Sequence, residues 1–300
     1  MLFRQLEYFV ALAREKHFAR AAASCYVSQP ALSEAIRKLE NELKVPLVRR
    51  GQSFDGLTPE GERLVLWARR ILADHDALIH EVTALQTGLT GQLQLGVIPA
   101  ASSTVAQLTD PFCAAHPLVR VQLEGGLRSA DIVERIGRYE LDAGILYPAG
   151  LPTTGLTVTP LYEERQVLIA SGDLLAGQAE PLDWSDALAL PMCLLNSGMR
   201  GRQLLDDALR THGLTATAQL EADSVVSLLA HVSTGRWASI VPQPWLQTLR
   251  PPAGVRVLPL TDPAITATVA LVTSSDEPGS VLARALLRVA QSTVITTDSA

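Results

Sequence analysis

From the amino terminus, apolar and polar positions recur with the period of a helix. Leu6, Phe9, Val10 and Ala13 share one face of a helix predicted over 3–13, and Phe18, Ala21, Ala22 and Cys25 one face of a shorter second. Tyr26, Val27 and Ser28 then make a turn, with Ser28 as the N-cap of a third helix and Pro30 in its first turn, where the missing N–H costs nothing. Along that third helix Leu32, Ala35, Ile36, Leu39 and Leu43 form the apolar stripe, while Gln29, Ser33 and Arg37 lie together on the opposite face. A short Ala-rich helix, a tight turn and a capped helix with a polar outer face predict a helix-turn-helix. The stretch 46–58 follows, with Gly51 and Gly56 at turn positions and a short apolar return, as a small β-wing has.

Thr58, Pro59 and Glu60 read as an N-cap, a first helical position and a first-turn acid. No proline occurs again before Gly88, so a single helix ~40 Å long is predicted over 59–88. Leu64, Ile71, Leu78 and Leu85 recur every seven residues, with Ala68, His75 and Val82 four later, which is a coiled-coil seam. A helix this long between two domains has little of its own chain to cover the stripe, so Leu64, Ile71, Leu78, Val82 and Leu85 are expected to dimerise. From Gly91 the texture becomes α/β, with strands near 92–98, 119–123, 142–146, 192–195, 217–221 and 238–241, and helices at 132–139, 202–209 and 225–232. Such alternation predicts mostly parallel sheets, and its length suggests two lobes.

Charge sharpens this division. The whole chain of 300 residues carries a net charge of −6, yet residues 1–58 hold nine Lys/Arg against six Asp/Glu and residues 91–300 thirteen Arg against twenty acids. Only the amino-terminal part is suited to a polyanion. The side chains of Gln29, Ser33 and Arg37 suit base edges in a major groove, and Arg49 and Arg50, at the wing's base, suit phosphate.

These residues carry a resemblance. The segments Phe18-Ala-Arg-Ala-Ala, Val27-Ser-Gln-Pro-Ala-Leu-Ser, Ile36-Arg-Lys-Leu-Glu and Leu57-Thr-Pro-Glu-Gly61, in that order, resemble the DNA-binding domain of LysR-type transcriptional regulators, and a weaker likeness extends along the whole chain. The resemblance implies a fold that is α/β overall: an all-α winged helix-turn-helix at 1–58, a linker helix at 59–88 and a two-lobed, periplasmic-binding-protein-like effector domain at 91–300. Lobe 1 would take 91–160 and 267–300 and lobe 2 161–266, the chain crossing near Leu161 and returning near Ala267. It further implies that Ser28, Gln29, Pro30, Ser33 and Arg37 approach operator DNA, with Arg50 at the wing. This wing departs from the family in offering Asp55 and no basic residue between Gly51 and Leu57.

In open α/β sheets, ligands bind at strand-to-helix junctions, where helix N-termini favour anions. Ser102, Ser103, Thr104, Ser129, Asn196, Ser197 and Ser224 occupy four such junctions, each also able to serve simply as a helix cap, and the resemblance places the effector at the first. Arg200 and Arg202 stand beside the third. The expected function is a DNA-binding regulator whose operator binding responds to a small, anionic effector, acting as a homodimer or homotetramer with RNA polymerase as a further partner. Glu7 and the missing small-residue cleavage site speak against a secretory signal, so a cytoplasmic location without membrane contact is expected.

Cys25, Cys113 and Cys193 are far apart, with no His or Cys at metal-ligand spacing, so neither a metal nor any cofactor besides the effector is expected. LysR-type peroxide sensors carry two cysteines close together in the effector domain, whereas Cys113 and Cys193 are eighty positions apart. Cys25, just before the turn into the third helix, leaves two readings open: a small buried hydrophobe or a redox-responsive thiol. The chain lacks a Gly-x-Ser-x-Gly elbow, a Walker loop, a dinucleotide fingerprint and a His-Glu-x-x-His helix, which speaks against an enzyme. A stand-alone solute-binding protein would lack the DNA-binding segment.

Overall fold

The computed structural model describes residues 1–50, 54–177, 182–260 and 263–297, with Arg50 and Thr87 described by their backbone alone. By contact the chain divides into two compact units. One comprises Met1–Thr87 with Arg138–Glu140 and Glu277–Val281; the other comprises Gly88–Gly137, Leu141–Asp276 and Leu282–Ala300.

The first unit opens with helices α1 (Phe3–Glu15), α2 (Phe18–Ser24) and α3 (Gln29–Leu43), then the hairpin β1 (Val48–Arg50) and β2 (Phe54–Leu57), then the long helix α4 (Pro59–Thr87). Each start has a local cause. His17 Nδ1 accepts from the Ala19 and Arg20 amides to cap α2, and Ser28 Oγ accepts from Ala31 N at 3.4 Å to cap α3. Thr58 Oγ1 accepts from Gly61 N at 3.0 Å and donates to Pro46 O at 2.7 Å, so the cap of α4 also pins the strand entering the wing. Glycine at position 61 is required by close approach, because a Cβ there would stand 2.1 Å from Leu47 O. Leu6, Phe9, Leu12, Leu32, Ile36, Leu39 and Leu47 form the core of this unit, and Val65 and Ala68 of α4 complete it.

The second unit runs β3 (Gly91–Val97), a 3-10 turn (Pro99–Ser102), α5 (Ala106–Ala115), β4 (Val119–Glu124), α6 (Ser129–Gly137), β5 (Ala143–Leu146) and the long β6 (Leu156–Ser171). It continues through α7 (Trp184–Leu188), β7 (Cys193–Leu195), α8 (Arg200–Thr211), β8 (Leu220–Ala222), α9 (Val225–Val232), β9 (Ala238–Pro242) and α10 (Trp245–Thr248). Strands β10 (Val255–Pro259) and β11 (Thr266–Ser274) and helix α11 (Val281–Ser292) close it. The main sheet has the order β10-β6-β11-β5-β3-β4, with β9 also on β6, while β7 and β8 pair separately.

Parallel pairing holds for β3–β4, β3–β5 and β7–β8, but β6–β11, β11–β5, β6–β9 and β6–β10 are antiparallel, so the expectation of mostly parallel sheets is corrected. The cause is the pair of crossing strands: β11 returns along the path by which β6 leaves, and a returning strand pairs antiparallel with the outgoing one. Two cores result. Leu93, Leu95, Ile132, Ile145, Val269 and Leu286 belong to the larger, and Leu168, Trp184, Leu194, Leu209 and Ile240 to the smaller.

Candidate functional site

Among the described residues, two places bring together side chains singled out from the sequence. The first is the outer face of α3. Ser28, Gln29, Pro30 and Arg37 are exposed and Ser33 is half-buried, while Leu32, Ile36 and Leu39 on the other side are wholly buried. The packing of the apolar stripe thus turns the polar face outward. Glu34, on that side, lies 4.0 Å from Lys38. Arg49 is exposed at the base of the wing; the side chain of Arg50 and residues Gly51, Gln52 and Ser53 lie outside what is described. Glu40 Oε1 accepts from Leu47 N at 2.9 Å and Val48 N at 3.2 Å, tying α3 to the wing, and the Phe18 and Phe54 rings meet edge to face at 6.2 Å. Sequence reasoning treated Tyr26 only as a turn residue. It is 96% exposed with φ at 55°, in the turn three residues before α3. An aromatic in a turn directly before a capped helix was the available signal.

The second is a cleft of about 20 Å³ lined by Pro99 and Ala100, by Arg128, Ser129 and Tyr147, and by Leu195, Met199, Arg200 and Gly201. That is room for about one water-sized group, so a ligand as large as a carboxylic acid enters only as the cleft widens. Of the residues named from sequence, Ser129 and Arg200 reach it. Ser102 is exposed away from it, and Thr104 is turned inward, its hydroxyl 2.9 Å from the Tyr162 hydroxyl. Asn196 Oδ1 is engaged with Gly198 N at 2.8 Å, closing the turn before α8, and Ser197 is exposed. Thr104, Asn196 and Ser197 are not among the lining residues, because hydrogen bonding or exposure claims them, and Ser103 is not among them either, its Oγ being buried without a hydrogen-bond partner. Ser224 is the N-cap of α9 without a side-chain capping bond. Arg202 is buried and bound to Asp206, Glu221 and the carbonyls of Leu195 and Ala216, a structural role.

Ser129 Oγ accepts from Tyr147 N at 3.4 Å, and Arg200 donates to Ala149 O at 2.7 Å. A Cβ on Gly201 would meet the Tyr147 ring at 3.1 Å, so glycine there lets α8 begin against that ring. Burial, reinforced by the charge of Glu164, holds the Tyr147 hydroxyl well above its ordinary pKa. Trp245 Nε1 donates to Ala100 O at 2.6 Å, securing the cleft's edge. Sequence reasoning missed Arg128 and Tyr147; Tyr147 directly follows the carboxyl end of β5, where the strand-end rule points.

The three cysteines are free. Cys25 is half-buried against the core of the first unit, Cys113 is exposed, and Cys193 is buried with its thiol pushed up to about 11 by desolvation. Among the described residues no cluster of His, Cys, Asp or Glu is arranged to hold a metal, and no helix is long and apolar enough to cross a membrane.

Residues 3–62 match the family described as bacterial regulatory helix-turn-helix protein, lysR family, and residues 86–294 the LysR substrate binding domain. Among curated relatives, a hydrogen peroxide-inducible genes activator of Haemophilus influenzae is 31% identical over 97% of this chain and 95% of its own length. The HTH-type transcriptional regulator EstR of Acinetobacter baylyi is 33% identical over 80% and 79%. Among solved structures, a full-length OxyR variant from Pseudomonas aeruginosa aligns with a TM-score of 0.78 at 25% identity, covering 100% of this chain and 99% of that one. The regulator CbnR in complex with its target DNA shares the fold at 20% identity and a TM-score of 0.69, over 97% and 99%.

Proposed function

The chain belongs to the LysR family of DNA-binding transcriptional regulators, and we propose that it reads its operator with α3 and is switched by a small anion held at the Ser129–Arg200 cleft. The observation that carries the effector half is convergence: Ser129 at the start of α6 and Arg200 at the start of α8 line one cleft together with Arg128, whose guanidinium also pairs with Asp131 at 2.8 and 2.9 Å. Helix N-termini and guanidinium groups favour carboxylate or phosphate. On the DNA side, Gln29, Ser33 and Arg37 address base edges, Arg49 and Arg50 phosphate, and Tyr26 adds a hydroxyl next to them. Dimerisation follows from α4, whose Leu78, Val82 and Leu85 are exposed, and sets two reading helices one helical turn apart. Gel shift with the DNA upstream of its own gene, with and without a metabolite panel, tests both halves; no shift at low salt would sink the DNA reading.

The relatives named as hydrogen peroxide-inducible activators favour a second reading, a redox response, for which Cys25 is the thiol that the sequence leaves open. An oxidised sulfur between α2 and α3 would misplace Gln29 and Ser33. In this reading peroxide weakens operator binding, reductant restores it, and Cys25→Ser abolishes the effect. An unmodified Cys25 with unchanged binding after peroxide leaves that thiol a packing role.

A further inference from the structure

Glu164 lies on β6 on the same face as Tyr162 and Gln166, because alternate residues of a strand share a face. All three are buried, while Glu163 and Arg165 between them are exposed. The strand changes partners here: up to Arg165 it pairs with β11, and beyond with β9 and β10. The carboxyl thus sits just before the stretch whose residues alternate between the two cores, Val167 and Ile169 in the larger and Leu168 and Ala170 in the smaller. Its Oε1 accepts from the Tyr147 hydroxyl and from Gln166 Nε2 at 3.4 Å, and its Oε2 is buried with no hydrogen-bond partner. The groups acting on its charge are Tyr147 and Gln166, through those bonds, and Glu163, which opposes a second negative charge; Tyr162 on the same face is bonded to Thr104. A carboxylate there, with one oxygen unpartnered and no cation in that set, would bear a desolvation cost that the two hydrogen bonds to Oε1 offset only in part.

We propose that Glu164 is a positioning residue for the effector cleft, held as the neutral acid, and that its proton is linked to an anion bound beside Ser129 and Arg200. The inference rests on the anionic reading of that cleft. Tyr147 is the connection, since its amide bonds Ser129, its ring stands against Gly201, and its hydroxyl bonds Glu164. Burial raises the Glu164 carboxyl to about 8. A negative charge arriving in the cleft disfavours a second one on Glu164 and raises it further; by reciprocity, loss of the proton weakens the anion. Anion affinity is therefore highest below that value and falls as pH rises through it.

The test uses the full chain and acetate as probe at fixed ionic strength, followed by tryptophan fluorescence, because the Trp245 indole is bonded at the cleft's edge. Infrared spectra report the carboxylic acid C=O stretch in parallel. In the wild type the acid band is expected at pH 7 and gone by pH 9, with acetate binding weakened about ten-fold across that interval. Glu164→Gln should lack the band and bind acetate with a flat pH profile. A wild type without the band at pH 7, or equal pH profiles in the two proteins, overturns the inference. Acetate that binds at no pH overturns the anionic cleft and the linkage with it, while the band still judges the neutral acid separately. Should Glu164→Gln not fold, the wild-type band decides: acetate must move its titration upward, and an unmoved midpoint overturns the linkage.

Discussion

Gln29 and Arg37 stand exposed on α3 while the stripe behind them is wholly buried, so each can be removed without touching the fold. Gln29→Ala and Arg37→Ala are expected to weaken operator binding about ten-fold or more, a good base contact being worth ~1 to 3 kcal/mol, with melting temperature and dimer unchanged. Equal affinity for the cognate operator in both variants would take α3 out of the groove. Glu164 supplies a second residue-scale prediction, with a defined sign. Its carboxyl titrates near 8 when folded, above its unfolded value, so the folded chain keeps the proton longer. Stability is untouched below the unfolded value, falls as pH rises toward 8, and levels off beyond. Glu164→Gln removes that loss, and its gain over wild type in urea melts should grow from pH 5 to pH 8 by on the order of a few kcal/mol. A difference that is constant with pH would contradict the buried acid.

At the level of elements, α4 does two jobs that one heptad pattern conceals. Leu64 and Ile71 pack against the first unit's core, whereas Leu78, Val82 and Leu85 are exposed at 61%, 51% and 86%. The predicted seam therefore splits, its first half serving its own domain. Leu78→Asp with Leu85→Asp is expected to give folded monomers in sedimentation, while Ile71→Asp should lower the melting temperature of the first unit as well. Retention of the dimer in the double variant would remove that surface from the interface. Periodicity reports that a stripe is apolar but not what covers it, so this division was illegible in sequence. The caps were legible, since Ser28 and Thr58 act through their own side chains on amides three residues on. The crossing strands were not read from pattern. Pro160, Glu163 and Arg165 interrupt β6, yet the β-branched residues of 266–273 offered a signal for β11.

Across the whole molecule, family, fold class and the division between a reading head and a sensing body were legible, because charge asymmetry and several motifs in fixed order all bear on them. The cleft was legible only in outline. Hydroxyls and amides at strand ends are common currency for local bonds, and Thr104 and Asn196 turn out to be occupied by them, to Ala101 O and Gly198 N, whereas Tyr147 and Glu164 are set apart by burial that no local pattern discloses. An effector present at 100 times its dissociation constant should stabilise the chain by ~2.7 kcal/mol, which a thermal-shift panel of small carboxylates and phosphates would detect. Arg200→Ala should abolish that shift for an anion and leave the ligand-free melting temperature within a degree or two; an unaltered shift would move the site elsewhere. The close approach of Gly61 to Leu47 O, with Val65, Ala68 and Ile71 closing the first core, also fixes where this chain can be recombined with another. A chimera joined at Thr58 would sever the reading head from residues that complete its interior, whereas one spliced within the exposed stretch of α4 beyond Ala77 would carry that hydrophobic core intact.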